Sequence, residues 1–249
     1  MRTETRLLFG PIAAVVFFFG VLGLSLLIPG YSHVHQDISP IGKLGSPLRV
    51  PFSIVLISYA CSLLFFASGV FNVAGHAGTS RLPAYLVAFM AFTQIGVAIF
   101  ATPHPLHNMF GIASMAGFLA PLAMAVGWKR DRSARTLVVA SYVLGFLVLG
   151  SLIVGLSELD PQSQLWQLVK SGPGLVQRSL AAAWLTWLLC QEFSYVDGNP
   201  CQRNRASISF ETTKVELGIM SPELEDAGAL SEQDQSRELQ SSLCFRRLT

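Results

Sequence analysis

Apolar runs of about 20 residues, separated by short polar gaps, dominate the chain from Leu7 to Cys190. The first, Leu7–Ile28, carries no charge. At 1.5 Å per residue it reaches about 33 Å, enough for the ~30 Å hydrocarbon core of a bilayer. The pattern predicts further spans at Phe52–Val73, Leu82–Phe100, Met109–Trp128, Leu137–Leu156 and Leu175–Phe193. Backbone in lipid must satisfy its own hydrogen bonds, and the runs lack the period-2 alternation of a barrel strand, so the spans are expected to be helices. The sixth is the weak one: only Ser179 to Cys190 is free of charges and amides, so a crossing there needs Arg178 to snorkel or find a partner. The expected fold is an all-α integral membrane bundle of six transmembrane helices in residues 1–193.

Lys and Arg near the span ends orient the bundle. Arg2, Arg6, Arg81, Lys129, Arg130, Arg132 and Arg135 flank one side, against Lys43, Arg49 and Lys170 on the other, with Arg178 at a boundary. The excess predicts that both termini and the even loops are cytoplasmic. The first run exceeds the h-region of a signal peptide and lacks a small-residue cleavage site before Pro29, so it reads as a retained span.

Small residues four apart (Ser141 with Gly145, Ser151 with Gly155, Ala113 with Gly117) suggest close helix packing. Gln94 and Asn72 are expected to hydrogen-bond to neighbouring helices.

Beyond Phe193 the pattern ends. Residues 197–249 hold nine acidic and six basic side chains and little apolar material, so the 194–249 tail is expected to be polar and largely disordered. One short helix near Glu223–Leu239 is possible after Ser221-Pro222. The tail is also where a cytosolic partner would bind.

Composition agrees with a membrane protein: 51% of residues are hydrophobic and 13% charged, against about 25% charged in soluble domains. A net charge of +2 without a long basic tract argues against nucleic-acid binding. Cys61 and Cys190 fall in spans and Cys201 and Cys244 in the tail, so no exported disulfide and no zinc spacing is expected.

Chemistry could gather in the odd loops, which the topology places on one outer face. In the first loop His33, His35 and Asp37 are spaced i, i+2, i+4, which aligns them in an extended segment. The third loop brings His104 and His107 to the mouth of span 4, and Arg178 is the nearest cation, with Glu158 and Asp160 opening the fifth loop. Imidazoles with a carboxylate could hold a divalent metal that activates water. Alternatively a His beside Asp37 could act as general base, with Arg178 steadying a lipid phosphate or carboxylate. The plain alternative is that these side chains cap helices. No cofactor is implied by any motif, and signatures such as G-x-S-x-G or H-E-x-x-H are absent.

Tyr31, Ile38-Ser39…Gly42…Gly45-Ser46-Pro47, Pro103…His107-Asn108 and Gly174…Gln177-Arg178…Trp184 together resemble a family of six-span membrane proteins catalogued as domain of unknown function 998. The resemblance covers residues 8–193. It implies a genuine sixth span and a shared outer site that includes His107 and Arg178. This chain has Pro40 where the family tends to carry an acidic residue, and His33 and His104 have no place in the pattern.

Two functions compete. One is a membrane-embedded enzyme acting on a lipid or lipophilic, terpenoid-like small molecule through His33, His35, Asp37, His104, His107 and Arg178. The other is a non-catalytic scaffold, sensor or accessory protein. A transporter fits less well, since no span carries a buried Asp, Glu or Lys.

Overall fold

A computed structural model of the chain describes residues 2–198. The tail, including the expected helix near Glu223–Leu239 and both tail cysteines, lies outside the described residues. Every regular element among the described residues is helical.

Five helices are long and apolar enough to cross a membrane. α1 is Thr3–Leu26, α2 Arg49–Ala77, α3 Leu82–Ile99, α4 Pro105–Trp128 and α5 Arg135–Leu156. A short α6, Gln164–Val169, precedes α7, Pro173–Gly198. Most of the helices extend past the expected spans at one or both ends, because hydropathy marks only the part of a helix that suits lipid. Local signals set the ends. Gly78, at φ +64°, terminates α2 in the left-handed conformation, and the Thr79 amide returns to the Ala74 carbonyl at 2.9 Å. Pro105 opens α4, where the His104 ring accepts the Leu106 amide. Within α4, Met115–Leu119 tightens to a 3-10 turn.

The bundle is inside-out relative to a soluble protein. Large apolar side chains such as Phe19 (63% exposed), Phe92 (64%) and Phe146 (62%) stand on its perimeter, where lipid would cover them. Its centre holds Phe66, Leu63, Met90, Met124, Trp184 and Trp187, all sealed.

α7 explains its own weak hydropathy. It falls outside the five apolar helices, yet Trp184, Trp187, Leu188 and Gln191 are buried among the described residues. Trp184 Nε1 donates to Tyr59 Oη at 2.8 Å, and Trp187 Nε1 donates to Ser141 Oγ at 3.0 Å. A helix that meets protein on its sides can carry polar groups, provided each finds a partner.

The expected seams hold at Gly145, whose added Cβ would meet Leu122, and at Gly117, which lies against Met90. The polar glue does not. Among the described residues neither Gln94 nor Asn72 hydrogen-bonds through its side chain; the Asn72 contact, to His76, uses its carbonyl. Gln94 faces a cavity instead.

Candidate functional site

Chain alternation brings the C-terminal ends of α1, α3 and α5 and the N-terminal ends of α2, α4 and α7 to one end of the bundle. The first and fifth loops meet there around a cavity of about 250 Å³, and the third borders a separate depression. All six long helices line the cavity. Phe17, Phe52, Leu56, Val97, Phe118 and Leu152 supply apolar wall, while Asp37, Gln94, His107, Ser114, Ser151, Glu158 and Gln177 supply polar atoms. The hollow exists partly because His107, Gly111 and Ser114 on α4, and Ser151, Gly155 and Glu158 after them, each repeat at i, i+4, i+7. That spacing aligns small residues on one helix face.

The first loop roofs this end, and the beginning of α7 holds it. Arg178 Nη1 donates to the carbonyls of Gln36 (2.8 Å) and Gly174 (2.9 Å), and its Nη2 donates to Tyr31 Oη (2.7 Å). Tyr31 Oη in turn donates to the Asp37 carbonyl at 2.6 Å. Gln177 Oε1 accepts the Ile38 amide at 2.6 Å. Gly174 is glycine for a reason: a Cβ there would press on the carbonyls of Gln36 and His33. Further along the loop Ser46 Oγ donates to the Ile41 carbonyl at 2.8 Å, and Gly42 lies flat against the Phe52 ring. Gly45 takes φ +84°, open to glycine at little cost.

The six sequence-predicted residues therefore separate. Asp37 and His107 line the cavity. His33 packs edge-on against Tyr31 and approaches Ser25 Oγ at 3.4 Å. His35 Nδ1 binds the Ser171 carbonyl at 2.7 Å, tying the first loop to the fifth. His104 caps α4 and borders a separate depression with Leu44, Arg49 and Pro103. Arg178 is engaged by carbonyls and a phenol and does not line the cavity. Among the described residues no group of three or more His, Cys, Asp or Glu could hold a metal ion.

Glu158, which the sequence offered only as a loop-opening charge, joins Asp37 at the cavity. Burial holds the Asp37 carboxyl above its ordinary range, with the Arg178 charge pulling the other way. Glu158 is raised as well, by burial first and by the Asp37 charge second. His107 is 7% exposed, and its Nδ1 contacts the Phe100 carbonyl at 2.7 Å. A carbonyl only accepts, so Nδ1 carries the proton and a neutral ring keeps Nε2 as an acceptor.

The raised carboxyls bind their protons more tightly in the fold than in the unfolded chain. Their contribution to stability is thus complete below the ordinary carboxylate pKa near 4 and is lost as pH rises through the raised values. D37N and E158Q are each expected to raise the apparent Tm modestly at pH 7, with the gain vanishing towards pH 4. Thermal unfolding in neutral detergent at the two pH values measures this, and a gain that persists at pH 4 would contradict it.

The strap of Tyr31, Gly174, Gln177 and Arg178, together with the Trp184–Tyr59 bond, accounts for much of the motif set that sequence resemblance had pointed to. No curated protein and no solved structure matches the chain. Residues 11–191 match the family described as "Protein of unknown function (DUF998)", far more than half of the sequence, and this multi-pass membrane protein belongs to that family.

Proposed function

We propose that the cavity is the working site of a membrane-embedded enzyme acting on a lipid or other lipophilic small molecule, terpenoid-like skeletons included. The carrying observation is an apolar-walled hollow lined by a buried imidazole and two carboxyls raised above their ordinary range. Asp37 and Glu158 would exchange protons with the substrate, and His107 Nε2 would accept a hydrogen bond or a proton from it. Phe17, Phe118 and Leu152 would seat its apolar part, which could enter sideways from the bilayer. Arg178, His35 and Gln177 act through position: they hold the roof from which Asp37 enters.

This reading takes α7 as a sixth crossing, supported by its sealed tryptophans, with the cavity on the outer side and both termini in the cytoplasm. The test replaces Asp37 by Asn, Glu158 by Gln and His107 by Ala, one at a time, and follows the host's lipid and terpenoid profile at matched protein level. Each variant is expected to reduce a product at least tenfold; unchanged profiles would defeat the proposal.

A second reading, a non-catalytic scaffold or accessory protein, draws support from the number of candidate side chains spent on loop and cap contacts. It expects that removing residues 200–249 abolishes the host phenotype while the three substitutions are silent.

A further inference from the structure

The polarity of the cavity has a sign, and the sign narrows the ligand class. We infer that the cavity selects amphiphiles with a cationic amine head and rejects those with phosphate or carboxylate heads. The inference rests on the proposed function in taking the cavity as a lipophile site, and it goes further by naming the head group.

Three features converge. First, neither Lys nor Arg is among the residues lining the cavity, and its ionisable side chains are Asp37, Glu158 and His107. Arg178, the cation closest in sequence logic, is spent on two carbonyls and a phenol. An anionic head would therefore meet two carboxyls within the lining, while Arg178, whose charge reaches Asp37, stands outside it with its Nη donors already engaged.

Second, His107 is more than nine-tenths buried, lines the cavity, and has no hydrogen-bond partner at Nε2 among the described residues. With Nδ1 committed to the Phe100 carbonyl, Nε2 presents a lone pair and calls for a donor. An ammonium group brings three donors and no acceptor.

Third, the carboxyls are arranged to welcome a positive charge. Both are raised, and the like charge of Asp37 contributes to the rise at Glu158. A cation beside them offsets that repulsion and favours the ionised form of both. Asp37 is half-buried and Glu158 is exposed at the rim, which places the charge where water meets the apolar wall. At about 250 Å³ the hollow lies just below the ~300–1,000 Å³ of typical small-molecule sites, so it holds a head and the first part of a chain, with the remainder in lipid.

The experiment uses the full chain in phosphatidylcholine nanodiscs and three probes that share one tail: dodecylamine, dodecanol and dodecyl phosphate. Trp166 lies in the cavity lining, so intrinsic fluorescence and the shift in unfolding temperature both report occupancy. Empty nanodiscs correct for partition into the bilayer. Dodecylamine is expected to bind at least tenfold more tightly than dodecyl phosphate, with dodecanol between, and the double variant D37N/E158Q is expected to lose the difference. E158Q alone, at the exposed rim, should lose part of it and serves if the double variant does not fold. Equal or tighter binding of dodecyl phosphate overturns the head-group inference while leaving a lipophile site intact. A preference unchanged in the double variant, or in E158Q where that serves, overturns it too. No probe binding above the empty nanodisc overturns the inference and the lipophile-site reading together.

Discussion

Gly174→Val is expected to unseat the first loop and to cost the protein roughly 3–5 kcal/mol, while Gly172→Ala, two residues earlier, is close to silent. At Gly174 an added Cβ meets the Gln36 carbonyl, the His33 carbonyl at 2.7 Å and Arg178 Nη1 at 2.8 Å. Two of these are main-chain oxygens that cannot rotate away, so the loop must lift. Overpacking of this kind costs about 1–3 kcal/mol. Lifting also strips Arg178 and Gln177 of their loop partners, and hydrogen bonds to charged groups are worth about 1.5–3 kcal/mol. At Gly172 the nearest atoms to a Cβ lie at 3.6 to 3.8 Å, ordinary contact distances. Thermal unfolding in detergent and the rate of proteolytic cleavage between Tyr31 and Pro47 measure the contrast. If the two variants behave alike, the tight apposition of loop and α7 is not what holds the roof.

Trp187→Ala is the second large loss, at about 3–5 kcal/mol for a buried aromatic. The side chain is fully sealed, packs edge-on to Phe66 at 6.2 Å between centroids, and lies 5.1 Å from the Trp184 ring. Its removal opens a void at the middle of the bundle and leaves Ser141 Oγ without its indole donor. Trp187→Phe separates the two effects: it keeps most of the volume, so its smaller loss reports chiefly the hydrogen bond, about 0.5–1.5 kcal/mol. Unfolding midpoints of the two variants against the parent decide it, and an alanine variant as stable as the phenylalanine one would remove α7 from the core.

Hydropathy alone made the five apolar helices legible, since a lipid-facing perimeter is what hydropathy measures. The same logic passes over α7, whose tryptophan face meets protein while Leu175, Ser179, Ala182, Thr186 and Leu189 form an exposed stripe. Its Gln177 and Arg178, suspicious in a span, turn out to grip the roof, and its tryptophans are satisfied by Tyr59 and Ser141. That ionisable side chains of the odd loops lie at one end of the bundle was visible too, but not which of them line the cavity. Four histidines in two loops look alike in sequence. Only packing separates His107, sunk in the cavity, from His104, which caps a helix, and His35, which ties two loops. Glu158 was missed because it follows the fifth apolar run. The stripe Ser151, Gly155, Glu158 was the available signal: small residues leading to an acid on one helical face.

The strap has an evolutionary corollary. Its anchors read main-chain atoms of the first loop: the carbonyls of Gln36 and Asp37 and the amide of Ile38. The side chains of Gln36, Asp37 and Ile38 take no part in these three bonds; Tyr31 and His35 supply the loop's own share. Relatives can therefore exchange the residues bordering the opening, diverging in what they admit, while inheriting the same fastening unchanged.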